Sequence, residues 1–303
     1  MTRRPRFMTE IIDGEAVASE IRDGVAECVD TLDEAGVQPG LATVLMSDDD
    51  ASKTYVSMKQ QDCEEVGIAA HDIEIDPDAP AAELYDTVDE LNAEDAINGI
   101  LVQMPVPDHV DDREVLRRTR PAKDVDGFHP ENVGRLVAGD ARFKPCTPHG
   151  IQKLLEAYDI ETEGADAVVV GRSDIVGKPM ANLLIQKAPF GNATTTVCHS
   201  RTQDLAAKLG DADIVVAAVG VPEFIDGSML KEGATVIDVG VNHVETDEGD
   251  SELVGDVDFE SAREVAGAIT PVPGGVGPMT RAMLLYNTVK AASQQHDIEI
   301  ELP

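Results

Sequence analysis

The chain of 303 residues carries 58 Asp and Glu against 24 Lys and Arg, a formal net charge of −34. That sign excludes a general nucleic-acid binder, which needs a basic face, and a hydrophobic content of 42% excludes an intrinsically disordered chain. Single cores stop growing at roughly 250–300 residues, so the length predicts two domains.

The opening Met1-Thr2-Arg3-Arg4-Pro5-Arg6 is basic and unlike the rest; residues 1–7 are read as a disordered extension, with Met8 as an alternative start. Val17, Ile21, Val25, Cys28, Val29 and Leu32 form an apolar helical stripe within 15–36, and Gly36 closes it. Leu41 to Met46 is a short apolar run, hence a buried strand. Ser52 opens the next predicted helix, on which Tyr55 and Lys59 lie four residues apart. An alternation at Ile73 and Ile75, a helix near 80–94 and a buried strand from Gly99 to Met104 follow, the last stopped by Pro105 and Pro107. Strand–helix alternation of this kind indicates an α/β unit with a mostly parallel sheet.

After a predicted loop at 119–147 a second series begins. Ala167–Val170, Thr194–Cys198, Ile214–Ala217 and Thr235–Val239 read as apolar strands, with helical stretches near 176–187 and 203–209 between the first three. This is Rossmann-type alternation. A last helix runs from Pro278 to about Ala292.

Acidic runs at Asp48-Asp49-Asp50 and from Glu245 to Glu252 fall in predicted loops as solvated surface. An acidic tail or interaction module would concentrate charge in a block, whereas here it is spread along the chain. The even spread favours adaptation to high salt, where self-repulsion is screened. Cys28, Cys63, Cys146 and Cys198 lie far apart with no CxxC pair, so no structural metal is expected, and scattered thiols suit a reducing cytoplasm. No apolar run reaches the roughly 18 residues of a membrane span, and no membrane partner is expected.

The chemistry concentrates in a few segments. Spacing of four puts the Tyr55 ring and the Lys59 amine on one helical face, suited to holding a planar substrate and exchanging a proton with it. An ordinary exposed helix face has the same pattern. Strand Ala167–Val170 runs into Gly171-Arg172-Ser173-Asp174-Ile175-Val176-Gly177 and then a helix. Such a turn points backbone N–H groups and a positive helix end at a phosphate. Its spacing, G-x-S-x-x-x-G, meets the dinucleotide fingerprint only in part. An NAD enzyme places Asp or Glu at the end of the next strand. Here Cys198-His199-Ser200-Arg201 offers no carboxylate, which favours NADP over NAD. The segment Thr270–Thr280, dense in Gly and Pro, suggests backbone lying close to a ligand.

In order along the chain, Ser52–Lys59, Gly99–Pro107, Lys123–Pro130 with Asn132 and Gly134, Gly171–Pro179 and Thr270–Thr280 are the motifs. With Pro145–Pro148 and Val236–Asn242, they resemble the bifunctional methylenetetrahydrofolate dehydrogenase/methenyltetrahydrofolate cyclohydrolase (FolD) family, from about Ile11 to Ala292. The resemblance implies an α/β fold of two domains facing a cleft. An N-terminal α/β folate-binding catalytic domain would comprise 8–147 and 273–297, a Rossmann NAD(P)-binding domain 148–272, with the C-terminal helix returning to the first. It implies a homodimer, and NADP-dependent oxidation of 5,10-methylenetetrahydrofolate followed by hydrolysis to 10-formyltetrahydrofolate. By the same resemblance Lys59 is the catalytic group, Gln103 hydrogen-bonds it, Asp126 accepts from the pterin amino edge and Tyr55 stacks on the aminobenzoate ring. Val102, Met104, Pro273, Gly274 and Gly275 complete the implied folate site. Gly171, Arg172 and Ser173 would bind the dinucleotide, with Ser200 and Arg201 near its 2′-phosphate and Val241 near the nicotinamide. The connection Ile185–Ala193 looks longer than the family's. A dehydrogenase without cyclohydrolase activity, and a non-catalytic folate or nucleotide binder, are the competing readings.

Overall fold

The computed structural model describes residues 8–245 and 251–303. The opening stretch 1–7 and the middle of the acidic run, 246–250, lie outside the described residues. In chain order the elements begin with β1 (Glu10–Ile11), α1 (Gly14–Glu34), β2 (Gly40–Leu45), α2 (Asp50–Val66), β3 (Ala69–Glu74), α3 (Ala81–Ala93) and β4 (Gly99–Val102). Three helices follow: α4 (Asp112–Arg118), α5 (Pro130–Ala138) and α6 (Cys146–Ala157). Then come β5 (Asp166–Val170), α7 (Gly177–Ile185), β6 (Thr194–Cys198), α8 (Leu205–Leu209), β7 (Ile214–Ala217) and β8 (Thr235–Asp238). The chain continues through β9 (Asn242–Glu245), β10 (Ser251–Val254), α9 (Phe259–Ala262), β11 (Ala268–Ile269) and α10 (Val276–His296).

Two compact units divide the chain. The first unit comprises Ala18–Cys146 and Arg281–Pro303, so most of α10 belongs with the N-terminal half of the sequence. Its sheet has the order β3-β2-β4, all parallel. All six residues of β2 are buried, as expected of a central strand covered on both faces. Val44, Ile100 and Val102 meet Leu84 and Val88 of α3 in the core of this unit. Gly40 is required here: a Cβ would stand 2.1 Å from the Ala96 carbonyl oxygen. Helix α2 is opened by Asp49, whose carboxylate accepts from both the N–H and the hydroxyl of Ser52. The expected serine cap is therefore the partner of the cap, and an aspartate read as loop surface has a structural duty. The predicted loop 119–147 holds a helix, α5, started by Pro130 and ended by Gly139 in the left-handed region.

The second unit comprises Thr147–Thr280 and residues 8–17. Its sheet runs β1-β11-β8-β7-β5-β6, parallel throughout. Strands β5 and β7 carry the apolar runs read from the sequence, and Val168, Val170, Val215, Ala217 and Val236 share one core. Strand β5 has β6 on one side and β7 on the other, so the chain reverses direction of progress there. In open α/β sheets that point, at the carboxyl ends of the strands, is where ligands bind. The described ends of the 245–252 run are not loop: β9 and β10 form an antiparallel pair, Glu252 opposite Val244. Helix α10 starts at Val276, two residues before the expected Pro278.

Candidate active site

Helix α2 of the first unit carries both Tyr55, 39% exposed, and Lys59, half-buried one turn later. The Lys59 Nζ donates to Gln103 Oε1 at 2.9 Å, and Gln103 Nε2 donates to the Met104 carbonyl at 2.9 Å. The second bond orients the amide, so its oxygen and not its nitrogen faces the amine. Gln103 is itself held at the end of β4, where its N–H reaches the Val44 carbonyl at 2.8 Å.

Burial pushes the Lys59 amine below its usual value, opposed by attraction to Asp126 and, more weakly, to Cys146 and Cys63. Burial acts on Asp126 in the other direction and lifts its carboxyl to about 6, against the pull of the Lys59 ammonium. The Cys146 thiol donates to Asp126 Oδ1 across 3.6 Å. Burial and that neighbouring carboxylate push Cys146 well above the usual thiol range, and burial first, then Asp62, takes Cys63 to about 12. Neither thiol is poised as a nucleophile, because nucleophilic cysteines need a depressed pKa. What remains is a lysine and a carboxylate whose environments bring their proton affinities closer together, the condition for acid–base work near neutrality.

The loop presenting Asp126 is built by its neighbours. Asp124, 4% exposed, accepts from the N–H groups of Phe128 and His129 and from Asn132 Nδ2 at 2.7 Å. Lys123 reaches back to the Leu91 and Glu94 carbonyls at the C-terminal end of α3. From α10, Asn287 Nδ2 donates to the Val125 carbonyl at 2.7 Å and the Lys144 carbonyl at 3.0 Å, and lies 3.7 Å from Cys146 Sγ. Val102 and Met104 line the same small cavity as Asp126. The structure thus gathers Lys59, Gln103, Met104, Val102 and Asp126, with Tyr55 on the same helix. Sequence reasoning missed Asn287, although an asparagine inside the apolar stretch Ala282–Ala292 is the signal that could have found it.

In the second unit the turn Gly171–Gly177 joins β5 to α7. Gly171 has φ +137°, and a Cβ there would lie 2.1 Å from the Ala218 carbonyl oxygen; one on Gly177 would lie 2.3 Å from the Gly171 oxygen. Ser173 Oγ accepts from Val176 and Gly177 N–H at 3.1 and 3.3 Å, while Arg172 and Ser173 stay exposed. Two glycines that admit no side chain, with exposed residues between them and the second at the N-terminus of α7, fit a dinucleotide phosphate cradle. At the end of β6, Ser200 and Arg201 are exposed, and His199 Nδ1 accepts from the Arg201 N–H at 3.1 Å. The segment Cys198–Thr202 itself carries no carboxylate. The long connection after α7 folds back tightly, Asn192 and Ala193 N–H bonding to the Gln186 and Leu184 carbonyls, and leaves Val170 paired with Cys198. Val241 is 47% exposed between β8 and β9. Pro273, Gly274 and Gly275 belong to this second unit, where the Gly274 carbonyl accepts from Gly14 N–H at 2.9 Å. Among the described residues no group of three or more His, Cys, Asp or Glu is arranged to hold a metal ion.

Fold and site together define a two-unit α/β protein with a dinucleotide-type sheet and a half-buried lysine–aspartate site. The tetrahydrofolate dehydrogenase/cyclohydrolase catalytic-domain model matches residues 12–126, and the NAD(P)-binding-domain model of the same family matches residues 145–296. Bifunctional protein FolD 1 of Haloarcula marismortui is 74% identical over 297 residues, 98% of this chain and 100% of that one. The Campylobacter jejuni FolD methylenetetrahydrofolate dehydrogenase/cyclohydrolase structure has a TM-score of 0.89 at 44% identity, covering 95% of this chain and 99% of that one. The Trypanosoma brucei methylenetetrahydrofolate dehydrogenase-cyclohydrolase, solved with NADP and inhibitor, has a TM-score of 0.89 at 39% identity, covering 95% and 98%. This chain belongs to the tetrahydrofolate dehydrogenase/cyclohydrolase family.

Proposed function

We propose that this protein oxidises 5,10-methylenetetrahydrofolate to the 5,10-methenyl cation with NADP⁺ and then hydrolyses that cation to 10-formyltetrahydrofolate. The observation that carries the reading is the Lys59–Gln103 hydrogen bond beside Asp126, with the amine lowered and the carboxyl raised by burial.

Asp126 presents its carboxyl to the pterin amino edge, and Tyr55 offers its exposed ring to the aminobenzoate. Gln103, oriented by the Met104 carbonyl, holds the Lys59 amine in one direction, with Val102 and Met104 beside it. In hydrolysis, water adds to the methenyl carbon, one C–N bond to that carbon breaks and a proton departs. Lys59 Nζ takes and returns protons around that water; the substrate's own positive charge further favours the neutral amine. Gly171, Arg172, Ser173, Ser200, Arg201 and Val241 hold NADP, which when bound supplies the hydride acceptor of the first reaction. Pro273, Gly274 and Gly275 provide close-lying backbone to the folate.

The protein acts as a homodimer in the cytoplasm. Its four free, buried cysteines fit a reducing compartment. Its acidity, in a chain similar to FolD proteins of Haloarcula marismortui and Halobacterium salinarum, fits work in high salt. By function we assign 8–147 with 273–297 to folate and 148–272 to the dinucleotide, although the compact units place 8–17, 147 and 273–280 with the dinucleotide-type sheet.

One assay tests the chemistry: purified protein, methylenetetrahydrofolate and NADP⁺ in molar KCl, following reduced cofactor and the methenyl chromophore together. Reduced cofactor without lasting methenyl is expected. Accumulating methenyl would leave a dehydrogenase alone, and neither signal would leave a binder.

A further inference from the structure

The second unit contains a carboxylate that forms no ion pair among the described residues and accepts from an unusual number of donors. Asp256 is fully buried. Its Oδ2 accepts from Val219 N–H at 2.6 Å and Gly220 N–H at 3.0 Å; its Oδ1 accepts from Val221 N–H and Asn242 Nδ2, both at 3.0 Å. Three successive amides and a side-chain amide thus converge on one group, from the loops that leave the carboxyl ends of β7 and β8. A second buried carboxylate, Asp238 at the end of β8, extends the tie. It accepts from the N–H groups of Gly240, Asp256 and Val257, each at 2.9 Å. Gly240 and Gly255 permit this closeness: a Cβ on either would fall within 2.5 Å of a carboxylate oxygen.

The position of this knot gives it meaning. The loop after β7 begins at Ala218, whose carbonyl fills the place where Gly171 has no side chain. One end of the Asp256-bound loop is therefore the wall of the phosphate turn. Its other end leaves Val221 exposed, and the loop after β8 leaves Val241 exposed, one residue before the Asn242 that donates to Asp256. With their N–H groups drawn inward, both loops turn their remaining surface to the carboxyl edge of the sheet, where a dinucleotide binds in this architecture. A buried carboxylate is costly unless it is fully hydrogen-bonded, and here the donors come from segments that would otherwise be free loops.

We propose that Asp256 is a positioning residue for the dinucleotide: by binding Val219, Gly220, Val221 and Asn242 it sets the two loops that flank the ligand between Gly171 and Val241. The proposal rests on the assignment of this unit to NADP, and it acts without touching the ligand itself.

The test uses the full chain in molar KCl, with NADP⁺ affinity measured by calorimetry and hydrolysis of added methenyltetrahydrofolate, which consumes no dinucleotide, measured in parallel. Asp256→Asn keeps the shape but sets an NH₂ against N–H donors; it should weaken NADP⁺ binding about tenfold or more, a change far larger than its effect on the hydrolytic kcat/KM. Asn242→Ala removes one donor and leaves the carboxylate's three amide bonds; it should weaken NADP⁺ binding about threefold with the melting midpoint retained. If Asp256→Asn does not fold, Asn242→Ala decides. Parent-like NADP⁺ affinity in the folded variant, or equal losses of binding and hydrolysis, overturns the proposal. A parent that binds no NADP⁺ would instead overturn the assignment of the unit.

Discussion

Replacing Asp126 by asparagine separates what the site costs from what it does. Burial raises the Asp126 carboxyl from its ordinary 3.8 to about 6 in the folded protein, the Lys59 ammonium only partly opposing the rise. A folded pKa above the unfolded one means that the native state holds the proton more tightly. The native state therefore loses stability relative to the unfolded chain as pH climbs through this window. The loss is absent below the unfolded value and complete above the folded one, and a separation of this size corresponds to about 3 kcal/mol. Asparagine has the same shape and no charge to bury. Asp126→Asn should match the parent near pH 4 and exceed its unfolding free energy by about 3 kcal/mol near pH 7. Lys59, deprived of its counter-charge in the variant, favours its neutral form as pH rises and so acts in the same direction. Urea unfolding in molar KCl at a series of pH values measures the difference, and other carboxylates cancel because both proteins share them. The same variant should bind folate poorly and turn over slowly, a site more stable and less useful. A stability difference that stays flat between these pH values would refute the claim that Asp126 is a buried, strained charge.

Lys59→Met should lower methenyltetrahydrofolate hydrolysis by about 10²- to 10⁴-fold while NADP⁺ affinity holds, the range expected for loss of general acid–base help; full hydrolysis by the variant would remove Lys59 from the mechanism. Asn287→Ala frees the Val125 and Lys144 carbonyls and should cost about 1–3 kcal/mol of stability. Its hydrolytic kcat should fall more than its NADP⁺ affinity, and an unchanged kcat would confine Asn287 to a structural part. Transfer from molar KCl to dilute buffer lengthens the screening distance from about 3 Å to about 30 Å, so a chain of net charge −34 should melt at a markedly lower temperature; an unchanged midpoint would reject salt adaptation.

How much of this was legible depended on the range of the interaction. The Tyr55/Lys59 face follows from helix period alone, and strands such as Leu41–Met46 and Val168–Val170 announce themselves by apolar runs between turn residues. Helix α5 did not, because its nine residues, amphipathic but short and with Gly134 inside, sit within the turn-rich 119–147 stretch. Strands β1 and β11 have two residues each, β11 pairing with β8 and β1 forming the edge beyond it, so both exist only on a sheet built by others. Asp49 was read as surface charge because a capping aspartate looks like any other in a run of three. Asn287 and Asp256 were missed for a deeper reason: an asparagine in an apolar stretch marks a buried polar group, but the partners lie 162 and about 35 residues away, respectively, and no local pattern names them.

The aspartates that were found and missed also explain one another. Asp124 accepts from two backbone N–H groups and an asparagine, Asp238 from three N–H groups, and Asp256 from three more and an asparagine. Each spends its acceptor capacity on its own chain, and each fixes a loop. Asp126 is different: its one hydrogen bond among the described residues comes from a thiol, a weak donor, at 3.6 Å. Half-buried where the others are buried, and denied their amides, it keeps lone pairs available, and its neighbour Asp124 has already fixed the turn that presents it. A carboxyl left unsatisfied in a chain that satisfies comparable ones so fully is a site waiting for donors from outside. The amino edge of a pterin supplies donors of that kind, which is why we propose that it meets Asp126 and not the better-bonded aspartate two residues before it.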